Sequence, residues 1–233
     1  MIRLLSIISL LCYSFVLFSQ SEEEKDTLIT WLSKINDDKK RIDETLEIAS
    51  SHYLNKTDLA LFFVDKALDE SIRANYERGI ADANNIKGII SKHLGKFEEA
   101  RHYYETALDI YRRIKWDRGI VNCYNNMGLS YANQSNYADA LESYFKGIKH
   151  LETFNSPDQD ILLYSNLSNL YHDLELVDEA MTYLKRAEEM AEEKEDKKHL
   201  VYLYNSHGSL LRKAGLNDSS LLYYKKSLNY AKE

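Results

Sequence analysis

The residues best equipped for catalysis are scattered along this chain rather than convergent. Seven histidines stand at positions 52, 93, 102, 150, 172, 199 and 207, and no H-E-x-x-H or other close ligand spacing joins them. His207 falls in a slot that Met127 and Leu167 hold elsewhere in the chain, which makes it an interior histidine rather than a metal ligand. Carboxylate pairs such as Glu98-Glu99 and Glu188-Glu189 have basic neighbours on helical segments, the pattern of a solvated face. No serine or cysteine sits in a nucleophile-elbow context, and Cys123, inside a helical pattern, reads as a small buried hydrophobe. The expectation is a chain with no catalytic residue, no metal and no cofactor. What remains is hydrogen bonding. Asn85, Asn125 and Asn205 each precede a glycine by three residues, with Ser165 in the fourth equivalent place, and Asn122 and Asn169 lie one turn before and after this column. A carboxamide carries both a donor and an acceptor, so it can pair with a peptide group whatever side chain that peptide bears. Lys92 and Arg212, two turns beyond Asn85 and Asn205, would attract an acidic side chain or a C-terminal carboxylate.

The elements that must position these residues are helices. The 233 residues include one proline and eight glycines, against 44% hydrophobic and 29% charged residues. A sandwich or barrel needs a turn every 8–12 residues, which so few breakers cannot supply. The apolar fraction excludes a disordered chain, and two cysteines exclude a disulfide framework or a Cys-rich zinc module. A period of 40 residues runs through the rest: Ala60, Ala100, Ala140, Ala180 and Ser220, then Val64, Tyr104, Tyr144, Leu184 and Tyr224, then Ala67, Ala107, Gly147, Ala187 and Ser227. Offsets of 0, 4 and 7 share one helix face. Small residues at two of the three slots let a neighbouring helix approach, and the larger one fills the groove.

A second helix precedes each of these. Tyr124, Met127, Gly128 and Tyr131 follow the i, i+3, i+4, i+7 pattern, repeated at Tyr164, Leu167, Ser168 and Tyr171 and again at Tyr204, His207, Gly208 and Leu211. Short turns at Leu94-Gly95-Lys96, Gln134-Ser135-Asn136, Glu175-Leu176 and Gly215-Leu216-Asn217 join the pairs. Ser156-Pro157-Asp158-Gln159 reads as a helix start, with serine at the N-cap, proline at the first helical position and glutamine closing a capping box. Upstream, Asp26 to Asn36 reads as a short amphipathic helix that caps the array through Leu28, Trp31, Leu32 and Ile35.

Gly-x-x-Tyr at 128–131 followed by Ala140-x-x-x-Tyr144-x-x-Gly147, with agreeing copies at 100–107 and 180–187, resembles the tetratricopeptide repeat over about residues 40–233. The 40-residue unit is similar to the lengthened repeats of kinesin light chains and of bacterial sensor proteins. The resemblance implies an all-α fold, a right-handed superhelix (α-solenoid) of about five helix-turn-helix repeats, at about 38–76, 77–116, 117–156, 157–196 and 197–233. It also implies that the first helix of each pair lines a concave groove where an extended peptide lies. Asn85, Asn122, Asn125, Asn169, Asn205, Lys92 and Arg212 would then face that groove, with Ile89, Leu129 and Leu162 as apolar anchors.

Residues 1–19 read as a signal peptide, a basic start at Arg3 followed by an uncharged run from Leu4 to Phe18 that is short for a bilayer span. It is either cleaved or retained as a membrane anchor, and residues 20–37 form the linker and capping helix. Without that segment 29 basic residues face 37 acidic ones, a balance that repels phosphate backbones and excludes nucleic acid as a partner. The reading that follows is a non-catalytic scaffold that binds a protein or extended peptide and is exported to the periplasm or extracellular space. The alternatives are the sensory front end of a longer signalling protein, of the kind found in tetratricopeptide sensor histidine kinases, and a peptide-controlled phosphatase of the cytoplasmic repeat type, which an export signal disfavours. Leu221, Leu222 and Leu228 in the last repeat would need cover, from further chain or by self-association with another subunit.

Overall fold

The computed structural model describes residues 22–153 and 161–232. The expected signal segment and the expected helix start at Ser156–Gln159 lie outside the described residues. Among those described, every regular element is an α-helix: α1 (residues 22–32), α2 (Asp38–His52), α3 (Thr57–Arg73), α4 (Glu77–His93), α5 (Phe97–Ile114), α6 (Asp117–Ala132), α7 (Tyr137–Thr153), α8 (Ile161–Asp173), α9 (Val177–Glu193), α10 (Lys197–Lys213) and α11 (Asn217–Tyr230). The chain divides into two compact units, Met1–Ile110 and Tyr111–Glu233, with the boundary inside α5.

In the first unit Ile42, Leu46 and Ala49 of α2, Ala60, Phe63, Val64 and Ala67 of α3, and Ala83, Ile86 and Ile90 of α4 form one buried cluster. The cap helix α1 adds a fully buried Leu32, with Leu28 and Ile35 packed beside it. Trp31 departs from expectation: it is 45% exposed and lines a surface hollow with the polar Glu23, Asp26, Thr27, Thr30 and Lys34. In the second unit Val121, Ala140, Tyr144, Leu163, Leu167 and Leu170 form one cluster, and Ala180, Leu184, Ala187, Met190, Leu200 and Leu203 belong to another.

The small-residue columns act as the periodicity predicts. Ala60, Ala100, Ala140 and Ala180 have no solvent exposure, and Ser220 is buried with them. Gly88, Gly128 and Gly208 of the first helices receive the tyrosine rings of their own hairpins. A Cβ on Gly128 would stand 2.5 Å from the Tyr144 ring, and one on Gly88 would stand 2.4 Å from Tyr104. Where the fourth hairpin replaces this pair with Ser168 and Leu184, the Ser168 hydroxyl donates to the Ala180 carbonyl at 2.8 Å. In the fifth hairpin the direction is reversed, Ser220 donating to the Gly208 carbonyl at 2.7 Å.

Seven of the links between described helices are alike. Asn75, Gly95, Lys115, Ser135, Glu175, Glu195 and Gly215 all adopt positive φ, between 49° and 79°, and neighbours in this series stand 20 or 40 residues apart. At each of them the next residue's N–H closes a Schellman bond back to the preceding helix: Tyr76 to Ser71, Lys96 to Ser91, Trp116 to Tyr111, Asn136 to Tyr131, Leu176 to Tyr171, Asp196 to Ala191 and Leu216 to Leu211, at 2.8–3.0 Å. That same residue then accepts the first bond of the next helix through its carbonyl, as Leu176 does from Ala180 at 3.0 Å. One residue therefore ends a helix and begins another, and the link has little freedom left. The α2–α3 link is different: Lys56 donates to the His52 carbonyl at 2.8 Å without a left-handed residue.

Candidate functional site

The first helices of the second unit, α6, α8 and α10, share a polar face. The Asn166 amide donates to Asn125 Oδ1 at 2.9 Å, joining α8 to α6, and the Asn169 amide donates to the Tyr202 hydroxyl oxygen at 2.6 Å, joining α8 to α10. Between α8 and α10 lies a cleft of about 200 Å³ lined by Ser168, Asn169, His172, Asn205, Ser206, Ser209 and Leu210. Asn169 and Asn205, marked by register in the sequence, thus line one cavity. Asn122 and Asn205 are exposed, whereas Asn125 is only 8% exposed and its carbonyl oxygen serves the contact with Asn166. Arg212, two turns beyond Asn205, is exposed and makes no ion pair with any described residue. Its neighbour Lys213 donates to the His172 carbonyl at 3.3 Å and lies 3.8 Å from Glu175.

Asn85 and Lys92 are half-buried on α4 and belong to the first unit. Burial holds the Lys92 ammonium below the usual lysine range, and no described carboxylate pairs with it. Asn166, His172, Tyr202, Ser206 and Ser209 were not marked by residue type alone. Register carries a signal for three of them: Tyr202 holds the place of Asn122, Ser209 that of Asn169, and His172 that of Lys92 and Arg212.

The expected interior position of His207 is what the structure shows: it is 3% exposed, its ring stacked on Tyr223 at a centroid distance of 3.7 Å. Its Nδ1 lies 2.7 Å from Glu188 Oε1, and this corrects the reading of Glu188, which is 7% exposed rather than on a solvated face. The same cluster holds Tyr204, whose hydroxyl donates to Glu192 at 2.6 Å, and Lys226, whose ammonium lies over the rings of Tyr204 and Tyr223. Burial and then the carboxylates of Glu188 and Glu192 raise the Tyr223 pKa. Glu188 is buried because α10 supplies a partner for it; a lone carboxylate there would be costly. Among the described residues no group of three or more His, Cys, Asp or Glu is placed to hold a metal ion, and no helix is long and apolar enough to cross a membrane.

Comparison with known proteins agrees with this geometry. Two models of the tetratricopeptide repeat match, one over residues 79–152 and one over residues 162–194. No curated protein sequence matches the chain. Solved structures with the same fold include BtubC from P. vanneervenii, at 14% identity over 92% of this chain and 89% of that one, with a TM-score of 0.66. They also include the Rap conjugation gene regulator of plasmid pLS20 in complex with the Phr* peptide, at 15% identity, covering 81% of this chain and 52% of that one, with a TM-score of 0.67. A third is a signal transduction ATPase with a tetratricopeptide repeat sensor from Pyrococcus horikoshii, at 15% identity over 91% of this chain and 36% of that one, with a TM-score of 0.61. The paired helices, the glycine-tyrosine contacts and these matches lead to one statement: the chain carries tetratricopeptide repeats over residues 79–152 and 162–194, on the helical-hairpin fold of those solved proteins.

Proposed function

We propose that this chain is a non-catalytic scaffold whose α6, α8 and α10 face holds a partner protein or an extended peptide segment. The observation that carries the reading is the α8–α10 cleft, where Asn169 and Asn205 from different helices meet three serines, with Tyr202 exposed on the same face. Main-chain peptide groups need donors and acceptors together, and carboxamides and hydroxyls supply both. The fold likeness to a Rap regulator solved with a peptide supports the same class of partner. Asn122, Asn169 and Asn205 contribute about 0.5–1.5 kcal/mol net each, less in total than or close to the association cost of at least about 4 kcal/mol. Apolar anchors must supply the difference, and Leu162 on α8, 53% exposed, and Leu129 on α6 are placed to do so. The affinity expected for an isolated peptide is micromolar.

The uncharged run from Leu4 to Phe18 behind Arg3 supports a place of action outside the cytoplasm, in the periplasm or beyond the cell, with membrane attachment only through that segment if it is retained. A sensory role inside a longer signalling protein is the second reading, favoured by the shared fold with a repeat sensor joined to an ATPase. The test is affinity capture from the exported fraction with the wild-type chain and with an Asn169→Ala/Asn205→Ala variant. A partner retained by the first and lost by the second supports the groove; equal capture removes these residues from it. Fractionation of the tagged full chain reports its location independently.

A further inference from the structure

The lining of the α8–α10 cleft is more selective than main-chain recognition requires. No Asp, Glu, Lys or Arg lines it, and His172 is its one titratable lining residue. Ser168 donates its hydroxyl to the Ala180 carbonyl, and one of the two Asn169 amide N–H groups is engaged by Tyr202. That leaves the second N–H and the carbonyl oxygen of Asn169, together with the carboxamide of Asn205 and the hydroxyls of Ser206 and Ser209, the last three residues having no side-chain hydrogen bond to a described residue. About 200 Å³ is room for one side chain rather than a drug-sized ligand. A charged side chain entering there would lose water and meet no charged lining residue. An aliphatic one would strip water from two hydroxyls and a carboxamide and return no hydrogen bond. A carboxamide or a hydroxyl satisfies both sides.

Arg212 follows Asn205 by seven residues on the same helix, about 10 Å at 1.5 Å per residue. An extended peptide advances about 3.3 Å per residue, so three residues span that distance. The exposed guanidinium, which no described carboxylate pairs, is suited to a carboxylate. We infer that the cleft selects a partner segment with Asn, Gln, Ser or Thr at the inserted position and an acidic side chain or chain-terminal carboxylate about three residues away. This rests on the peptide-binding reading and narrows it.

Selection of a random dodecapeptide display library on the full chain tests it. The expected outcome is enrichment of an uncharged polar residue spaced about three positions from Asp, Glu or the C-terminus. In labelled peptides of the enriched sequence, replacing the polar residue by Glu, Lys or Leu weakens binding roughly tenfold. Asn205→Leu removes the polar preference and keeps the acidic one; Arg212→Gln does the reverse. Enriched peptides that carry a charged or aliphatic residue at the Asn205-sensitive position overturn the inference and leave peptide binding intact. Enrichment that neither variant alters overturns the inference and the groove together. Circular dichroism of both variants guards against misfolding, and a helix-poor variant is replaced by Asn205→Ala or Arg212→Ala before binding is read.

Discussion

Adding a single methyl group at Gly128 tests the packing logic most sharply. A Cβ there would lie 2.5, 2.7 and 2.8 Å from three atoms of the Tyr144 ring, all inside contact distance. Tyr144 is 1% exposed and has no room to retreat. Swinging its ring into water would re-expose about 150–250 Å², an upper estimate of about 4–6 kcal/mol at 25 cal/mol/Å². The helices must separate instead, and overpacking of this kind costs about 1–3 kcal/mol. Alanine is favoured over glycine inside a helix by about 1 kcal/mol, so Gly128→Ala is expected to lose roughly 1 kcal/mol net, about 2–4 °C in Tm. Gly147→Ala is the control: its added Cβ meets Leu163 at 3.1 Å, and a flexible leucine can give by a few tenths of an ångström. There the helix preference offsets the strain and stability stays level or rises. The double variant Gly128→Ser/Tyr144→Leu copies the Ser168–Leu184 pair of the fourth hairpin and is expected to be more stable than the sum of its single changes. Urea and thermal melts of wild type and variants decide the matter. A Gly128→Ala chain that melts at or above the wild type would refute the ring-on-glycine account.

Three further outcomes follow from the same geometry. Lys115→Gly and Glu175→Gly relieve a left-handed backbone that costs an L-residue about 1–2 kcal/mol, against about 0.5–1 kcal/mol of glycine entropy; each should stabilise by about 0.5–1 kcal/mol in chemical denaturation, while Gly95→Ala should destabilise by a similar amount although no atom would touch its Cβ. Burial pushes the Glu70 carboxyl up, but hydrogen bonds from Lys66 at 2.8 Å and Arg41 at 3.1 Å outweigh it and hold the group below its ordinary value of 4.5. Its stabilising contribution is therefore present above that value and lost as pH falls through the lower, folded-state one, so the stability gap between wild type and Glu70→Gln should be open at pH 7 and close in acid. Ala140→Leu places three extra heavy atoms where none fit, and a melt should show a loss of roughly 1–3 kcal/mol.

How far the sequence was legible depended on whether a residue type betrays its own environment. Ala60, Ala100, Ala140 and Ala180 do, because a small residue recurring at one helix position marks where a second helix comes close, and the all-helical hairpins followed from them. Gly95 and Gly215 marked their turns, but Lys115 and Glu195 adopt the same left-handed conformation and look like ordinary surface residues. Nothing in a Glu-Glu pair distinguishes Glu188, buried against His207, from Glu189, exposed beside Arg186; the difference comes from a helix that arrives later in the chain. Register placed Asn169 and Asn205 one turn apart on the same face of successive first helices, but the cleft they line exists only once α8 and α10 are side by side. Asn125 illustrates the opposite case: the same register position is consumed by a neighbour, Asn166, whose own place in the pattern carries no mark.

The uniform links have a consequence for how such a gene can change. Because the described left-handed residues stand 20 or 40 residues apart, unequal crossing-over that adds or removes a 40-residue hairpin leaves the described joints in phase. Slippage by a single codon inside a helix would instead rotate everything downstream by about 100°, turning buried alanines toward water. A whole 40-residue unit can therefore be gained or lost with the helix faces still in register, whereas a change of helix length between joints cannot.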